Sequence, residues 1–253
     1  MDMVMDFTTM EWFFVVFCAL MVGFSKTGIL GAGILVVPML AAIIPAREST
    51  GFLLPMLAMA DIIAIIYWRK HVEWRQLGRL LPWALTGILF GCMFLRNISN
   101  TTLMPLIGGL ILVLVGVRFW WNSHPDRKDI LPTGWWFAGI MGILAGCTSM
   151  LANAAGPIMT IYLLTMKLEK KEFVGTGAWF FWIINLSKMP FSYKLGFITP
   201  ISLGTNLLLL PAIVGGGILG ILLVHRIPQK IFNVIVEVLA ITMAVYLCVK
   251  PFL

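Results

Sequence analysis

Gly23-Phe24-Ser25-Lys26-Thr27-Gly28 interrupts an apolar run that extends over residues 11–44. A membrane-spanning helix takes ~20 mostly apolar residues, so the run is too long for one span. It is broken near its middle by small and polar side chains, where a continuous span would carry large apolar ones. A second overlong run, residues 135–166, is broken by Gly146-Cys147-Thr148-Ser149 and then by Asn153-Ala154-Ala155-Gly156-Pro157. Glycine freedom and the Gly156-Pro157 pair favour an unwound tip between two short helices in each run. Each flanking piece holds about 13 to 17 residues, or ~20 to 25 Å of helix, which is short for a crossing. Each broken run is therefore expected to form a membrane hairpin.

Outward from these two runs lie further apolar segments at residues 52–68, 80–96, 101–121, 173–190, 198–224 and 230–249. With 60% hydrophobic and 11% charged residues and a mean hydropathy of +0.97, the chain needs lipid as its solvent. Backbone groups in hydrocarbon must pair internally, and continuous apolar runs without strict alternation exclude a barrel. The expected fold is an all-α polytopic membrane protein. The net charge of +7 resides in connectors rather than along one polar face, so it reads as a topology signal and not as a nucleic-acid surface. Asp2, Asp6 and Glu11 precede the first basic residue, Lys26, so the N-terminal stretch lacks the positive region of a cleavable signal and the first segment is expected to persist. Cys18, Cys92, Cys147 and Cys248 have no CxxC spacing, and His71, His124 and His225 form no HxxxH pair. No disulfide framework, metal site or cofactor is expected. Trp68, Trp74, Trp120, Trp121, Trp135 and Trp136 lie near segment ends, as interfacial belts require.

The two halves repeat. Gly23, Ser25 and Gly33 match Gly146, Thr148 and Gly156; Arg47-Glu48, Gly51 and Asp61 match Lys171-Glu172, Gly175 and Asn185; Gly87 and Gly91 match Gly216 and Gly220, a GxxxG pair suited to close helix approach. If each broken run returns to its starting side and three full spans follow it, the second repeat is inverted. The connector cations, from Arg69 and Lys70 through Lys170 and Lys171 to Arg226 and Lys230, then lie in the cytoplasm, leaving Arg47, Arg96, Lys194 and Lys250 outside. If the broken runs cross once instead, that bias nearly vanishes. Charge placement thus favours two inverted repeats, residues 1–122 and 135–253, each a broken-helix hairpin followed by three transmembrane helices, with residues 123–134 as a cytoplasmic connector. Whether the broken runs are re-entrant or fully spanning stays open at this level.

Inverted repeats with interrupted helices characterise many secondary transporters, whose sites lie where the broken elements meet. An unwound tip exposes N–H groups, and a helix starting there directs its positive dipole end into the gap. Lys26 is costly in an apolar segment unless it faces a cavity or a partner, and it suits the charge of an anion. Ser25, Thr27, Thr148, Ser149 and Asn153 add neutral donors, with Gly28 and Ala154 at the tips and Asn185 behind them. These residues are the expected substrate contacts, although Ser and Thr in such runs also satisfy broken backbone. Asp61, central in its segment, is the expected coupling group, taking up a proton in a transport cycle or forming a static pair with Lys26. Glu237 is a further intramembrane carboxylate of open role. Lys188 lies close enough to a segment end to snorkel to water, which favours an anchoring role. Ser25-Lys26-Thr27 lacks the Gly that a phosphate-binding loop places directly before its Lys, so ATP binding is rejected.

Gly23-Phe24-Ser25-Lys26-Thr27-Gly28 with Gly31, Gly33 and Pro38, then Ser49-Thr50-Gly51, Leu54-Pro55 and Asp61, and downstream Asn153-Ala154-Ala155-Gly156-Pro157, Gly175-Thr176 and Asn185-Leu186-Ser187-Lys188-Met189-Pro190 together resemble the TauE/SafE group of sulfite and organosulfonate exporters. The resemblance covers nearly the whole chain. It implies export of sulfite, sulfoacetate or taurine-like sulfonates across a bacterial cytoplasmic membrane, driven by an ion gradient. The partners expected are a small anion and the lipid bilayer, with room for a homodimer and no nucleic acid. A passive anion channel and a membrane-embedded enzyme using Asp61 and Glu237 are the competing readings; the latter lacks a nucleophile constellation or metal cluster.

Overall fold

A computed structural model of the protein describes residues 7–27, 32–123, 134–223, 238, 241–242 and 244–249. Among these the chain is helical throughout, with no strand. α1 (Thr9–Thr27) is followed by a 3-10 turn (Ala32–Leu35) that leads into α2 (Val36–Ile43). Then come α3 (Ala46–Trp68), α4 (Trp74–Arg96), α5 (Asn100–Ser123), α6 (Trp135–Ala152), α7 (Gly156–Thr165), α8 (Lys170–Lys194), α9 (Pro200–Leu208) and α10 (Leu210–Leu223). α1, α3, α4 and α6 are each long and apolar enough to cross a bilayer, and α9 with α10 makes a further apolar unit bent by 49°. Leu85, Leu89, Phe90, Met93 and Phe94 of α4 point outward. α3 instead buries Phe52, Leu53, Met56, Ala60 and Asp61 at the centre of the bundle. Outward apolar side chains around a buried central helix are the pattern of a multi-pass membrane protein.

The second run breaks as expected, at Asn153, and in both runs the helix before the expected break is the longer arm. α1 has 19 residues and α6 has 18, about 27 to 28 Å each, so the first arm of each broken run reaches across a bilayer by length. The second arms are short: α7 has 10 residues. The arms differ because the polar runs do not unwind where they begin. Ser25 Oγ donates to the Val22 carbonyl at 3.0 Å, Thr27 Oγ1 to the Gly23 carbonyl at 3.2 Å and Thr148 Oγ1 to the Leu144 carbonyl at 2.8 Å. Each hydroxyl is satisfied inside its own helix, which lets the helix continue through the polar run. The second break falls at Asn153, whose φ of 51° lies in the left-handed region that Asn tolerates. Its N–H closes on the Ser149 carbonyl at 2.9 Å. α7 then starts at Gly156 with Pro157 in its first turn, where a missing N–H costs nothing. Residues 28–31, where the first break is expected, lie outside the described residues, as do most of the connector between α5 and α6 and most of the last apolar segment, Glu237 included.

The segment at 198–224, expected as one span, is two helices. Pro211 has no N–H to offer the Leu207 carbonyl, and the chain bends there. Thr199 starts α9 with reciprocal bonds to Ser202: Ser202 N–H to Thr199 Oγ1 at 3.1 Å, and Thr199 N–H to Ser202 Oγ at 2.9 Å.

Glycine contacts bring the halves together in matched pairs. Gly23 of α1 lies against the Ile213 carbonyl of α10, and Gly146 of α6 lies against the Ala84 carbonyl of α4. Reciprocally, Gly216 of α10 lies against the Leu20 carbonyl and Gly87 of α4 against that of Ile143. A Cβ at any of the four would strike backbone, so helices this close require glycine. α1 thus packs on α10 as α6 packs on α4. At the centre, Gly51 near the start of α3 meets the Phe197 carbonyl beyond the end of α8, and Gly175 near the start of α8 meets the His71 carbonyl beyond the end of α3. α3 and α8 therefore run antiparallel, and they cross at Asp61 and Asn185.

Candidate functional site

Where the end of α1, the 3-10 turn and the break at Asn153 face the crossing of α3 and α8 there is a cavity of about 60 Å³, lined by Ser25, Lys26, Gly33, Ile34, Leu53, Leu57, Ser149, Asn153, Ala154, Gly156, Pro157, Ala178, Phe181 and Asn185. One water needs roughly 10 to 15 Å³ by this kind of measure, so the space suits a few waters or one small anion. Of the residues singled out from the sequence, Ser25, Lys26, Ser149, Asn153, Ala154 and Asn185 meet on this wall. Thr27 and Thr148 do not. Thr27 Oγ1 also reaches the Gly217 carbonyl at 2.8 Å and ties α1 to α10, while Thr148 turns back into α6. Gly28 lies outside the described residues.

On the first side of the cavity, Lys26 Nζ lies 2.7 Å from Asp61 Oδ1 and 4.3 Å from the Phe181 ring centroid. Asn185 Nδ2 donates to Asp61 Oδ2 at 2.6 Å. The carboxylate is fully buried, while the Lys26 side chain is 14% exposed and forms part of the cavity wall. A buried carboxylate without partners would be strongly unfavourable; here Oδ2 accepts from an amide and Oδ1 faces a cation as an ion pair. Asp61 and Asn185, matched in the repeat, are thus direct partners across the crossing. Of the two readings left open for Asp61, the ion pair with Lys26 is the one formed in this conformation.

On the second side the structure corrects the sequence expectation for Lys188. Rather than snorkelling, it is 1% exposed, and its Nζ donates to the Ser149 carbonyl at 3.1 Å, Ser149 Oγ at 2.7 Å and Asn153 Oδ1 at 2.8 Å. Pro190 suggested a nearby helix end, but α8 continues through it to Lys194, which leaves Lys188 well inside. The signal that could have placed it is spacing: Asn185 and Lys188 are three residues apart and share a helix face. Asn153 is held from its other end as well, its Nδ2 donating to the Thr50 carbonyl of α3 at 3.0 Å. Sequence reasoning also missed Asn206 of α9, fully buried, whose Nδ2 bonds the carbonyls of Phe52 at 3.1 Å and Ser202 at 2.8 Å. The α3 carbonyls at Thr50 and Phe52 so receive side chains from two neighbouring elements.

Chemically, the cavity offers one lysine on its wall, a second directly behind it, hydroxyl and amide groups, and the first turn of α7 starting at Gly156. The Ser149 hydroxyl on its wall is engaged by Lys188 at 2.7 Å, and among the described residues no cluster of His, Cys, Asp and Glu could hold a metal ion. Such a set of donors is suited to hold an anion. Searches of curated proteins and of solved structures each returned no match. The family model described as sulfite exporter TauE/SafE matches residues 15–247. That span takes in both broken helices, the crossing of α3 and α8 and every residue of the cavity wall, and the chain belongs to the TauE/SafE family of sulfite-exporter-type membrane transporters.

Proposed function

We propose that this chain is a secondary transporter that carries a small organic or sulfur-containing anion outward across the cytoplasmic membrane of a bacterium. A sulfonate, sulfoacetate, sulfite or a taurine-like compound is the class of cargo. The observation that carries the reading is that both repeats contribute polar side chains to one cavity: Ser25 and Lys26 from α1, Ser149 from α6, Asn153 from the break after α6, and Asn185 from α8. An intramembrane cavity with a cation on its wall and neutral donors around it is suited to an anion. Residues 1–122 and 135–253 act as inverted repeats joined by the connector 123–134. Support comes from the matched glycine contacts and from the antiparallel run of α3 and α8, since repeat-related helices that oppose each other are what inversion produces. Rocking of one repeat against the other around the cavity exposes it to each side in turn. Asp61 is the coupling group, taking up a proton in the course of the transport cycle.

Counterflow of sulfonates, sulfite and carboxylates in proteoliposomes, with and without a proton gradient, tests this reading. Saturable flux is expected. Lys26→Ala abolishes it, because the Asp61 carboxylate is then left uncompensated beside the anion, and Asp61→Asn changes its dependence on the gradient. Absence of flux for every anion contradicts the reading, and flux that neither saturates nor responds to the gradient makes the protein a passive channel.

A further inference from the structure

The two lysines at the cavity are not equivalent. Lys26 is neutralised by Asp61 at 2.7 Å. Lys188 has three acceptors around its nitrogen, a carbonyl, a hydroxyl and an amide oxygen, and none is a carboxylate. Three acceptors match the three protons of an ammonium group. Among the described residues, the ionised groups whose charge reaches Lys188 are Lys26 and Asp61, which offset each other as a pair. With the pair intact, any net charge of the site rests on Lys188, which lies behind Ser149 and Asn153 rather than on the wall.

We propose that Lys188 is held as an ammonium and that it, not Lys26, sets the charge of the cargo: within the proposed class the site takes monoanions, such as bisulfite or a simple sulfonate, in preference to dianions such as sulfoacetate and to zwitterions such as taurine. The proposal rests on the reading of the cavity as the transport site. Lys188 acts as a positioning residue. It holds Ser149 and the left-handed Asn153 in the shape that closes the second side of the cavity, and from behind them it supplies the positive potential an anion meets. A monoanion brings the buried charge to zero. A dianion leaves one negative charge uncompensated in a low-dielectric interior, and a zwitterion leaves Lys188 uncompensated.

Methanesulfonate, sulfate and taurine carry similar sulfur–oxygen groups with net charges of −1, −2 and zero, so they separate charge from group recognition. In proteoliposomes loaded with the full chain, methanesulfonate is expected to show an apparent affinity about tenfold or more above sulfate and taurine. Lys188→Met is expected to raise the KM for methanesulfonate by a similar factor and to erase its advantage over taurine, whereas Lys188→Arg keeps the order of preference. A merely structural lysine would lower flux of all three without reordering them. The proposal is overturned if sulfate or taurine matches methanesulfonate in the wild-type protein. It is equally overturned if folded Lys188→Met retains the wild-type preference, as it would were Lys188 a neutral amine receiving a hydrogen bond from Ser149. If Lys188→Met does not fold, the wild-type order and the Lys188→Arg order decide, and a reordering in Lys188→Arg counts against it. Saturable wild-type transport with the wrong order sinks this proposal alone, whereas no saturable flux of any anion sinks the transport reading with it.

Discussion

Asp61→Asn isolates the ion pair on which the first side of the cavity depends. At 2.7 Å and an effective dielectric constant of about 20, the gross attraction between Lys26 and Asp61 is ~6 kcal/mol. Desolvation of the fully buried carboxylate offsets much of this. What a single substitution reveals is the cost of stranding the other charge, about 3 to 5 kcal/mol for a buried pair. For a chain of this length that corresponds to a drop in Tm on the order of 10 °C. The double variant Lys26→Met with Asp61→Asn removes both charges and strands neither, so it should be more stable than either single variant. Thermal unfolding of the four purified proteins in detergent, without anion, closes the cycle. A coupling energy of ~3 kcal/mol or more is expected. Additive losses, with the double variant worse than both singles, would refute the view that Lys26 and Asp61 form one buried unit.

Gly146→Ala should cost about 1 to 3 kcal/mol in the same assay, because its Cβ meets the Ala84 carbonyl and pushes α6 off α4. Gly109→Ala, whose Cβ meets open space, should change Tm little; equal losses at the two sites would contradict the packing described. Asn153→Gly keeps the left-handed backbone but loses the bonds to Lys188 and the Thr50 carbonyl, while Asn153→Ala loses both. Transport should fail in each, and the glycine variant should be the more stable by about 1 kcal/mol. Equal stability would show that backbone strain at this position carries no weight. Thr27→Val should lower Tm by loosening α1 from α10 while leaving the KM near that of wild type, since Thr27 is not on the cavity wall; a large change in KM would place Thr27 in the site after all.

Much of this arrangement was legible in the sequence because membrane helices obey strict physical rules. Polar residues within an apolar run marked the break at Asn153, and repeated glycines marked the close approaches of α1 to α10 and of α4 to α6. Asp61 and Asn185 could be named as matched positions, and Lys26 as a group in need of a partner. The unequal arms were not legible, because Ser25, Thr27 and Thr148 satisfy their hydroxyls within their own helices, and no residue pattern distinguishes that from unwinding. Lys188 was misread because Pro190 looks like a helix end, yet tertiary packing carries α8 four residues beyond it. Asn153 bonded to the Thr50 carbonyl, and Asn206 to that of Phe52, depend on contacts more than a hundred residues apart, which spacing along the chain cannot reveal.

The central claim is that an anion sits between the two breaks, against Ser25, Lys26, Ser149, Asn153 and Asn185. Crystals of the protein grown with bromomethanesulfonate would report its position through the anomalous scattering of bromine. The account predicts a bromine peak inside this cavity, with the sulfonate oxygens turned toward Ser149 and Asn153, and its loss in Lys188→Met. A protein that transports the same anion saturably while its bromine peak lies elsewhere would contradict it.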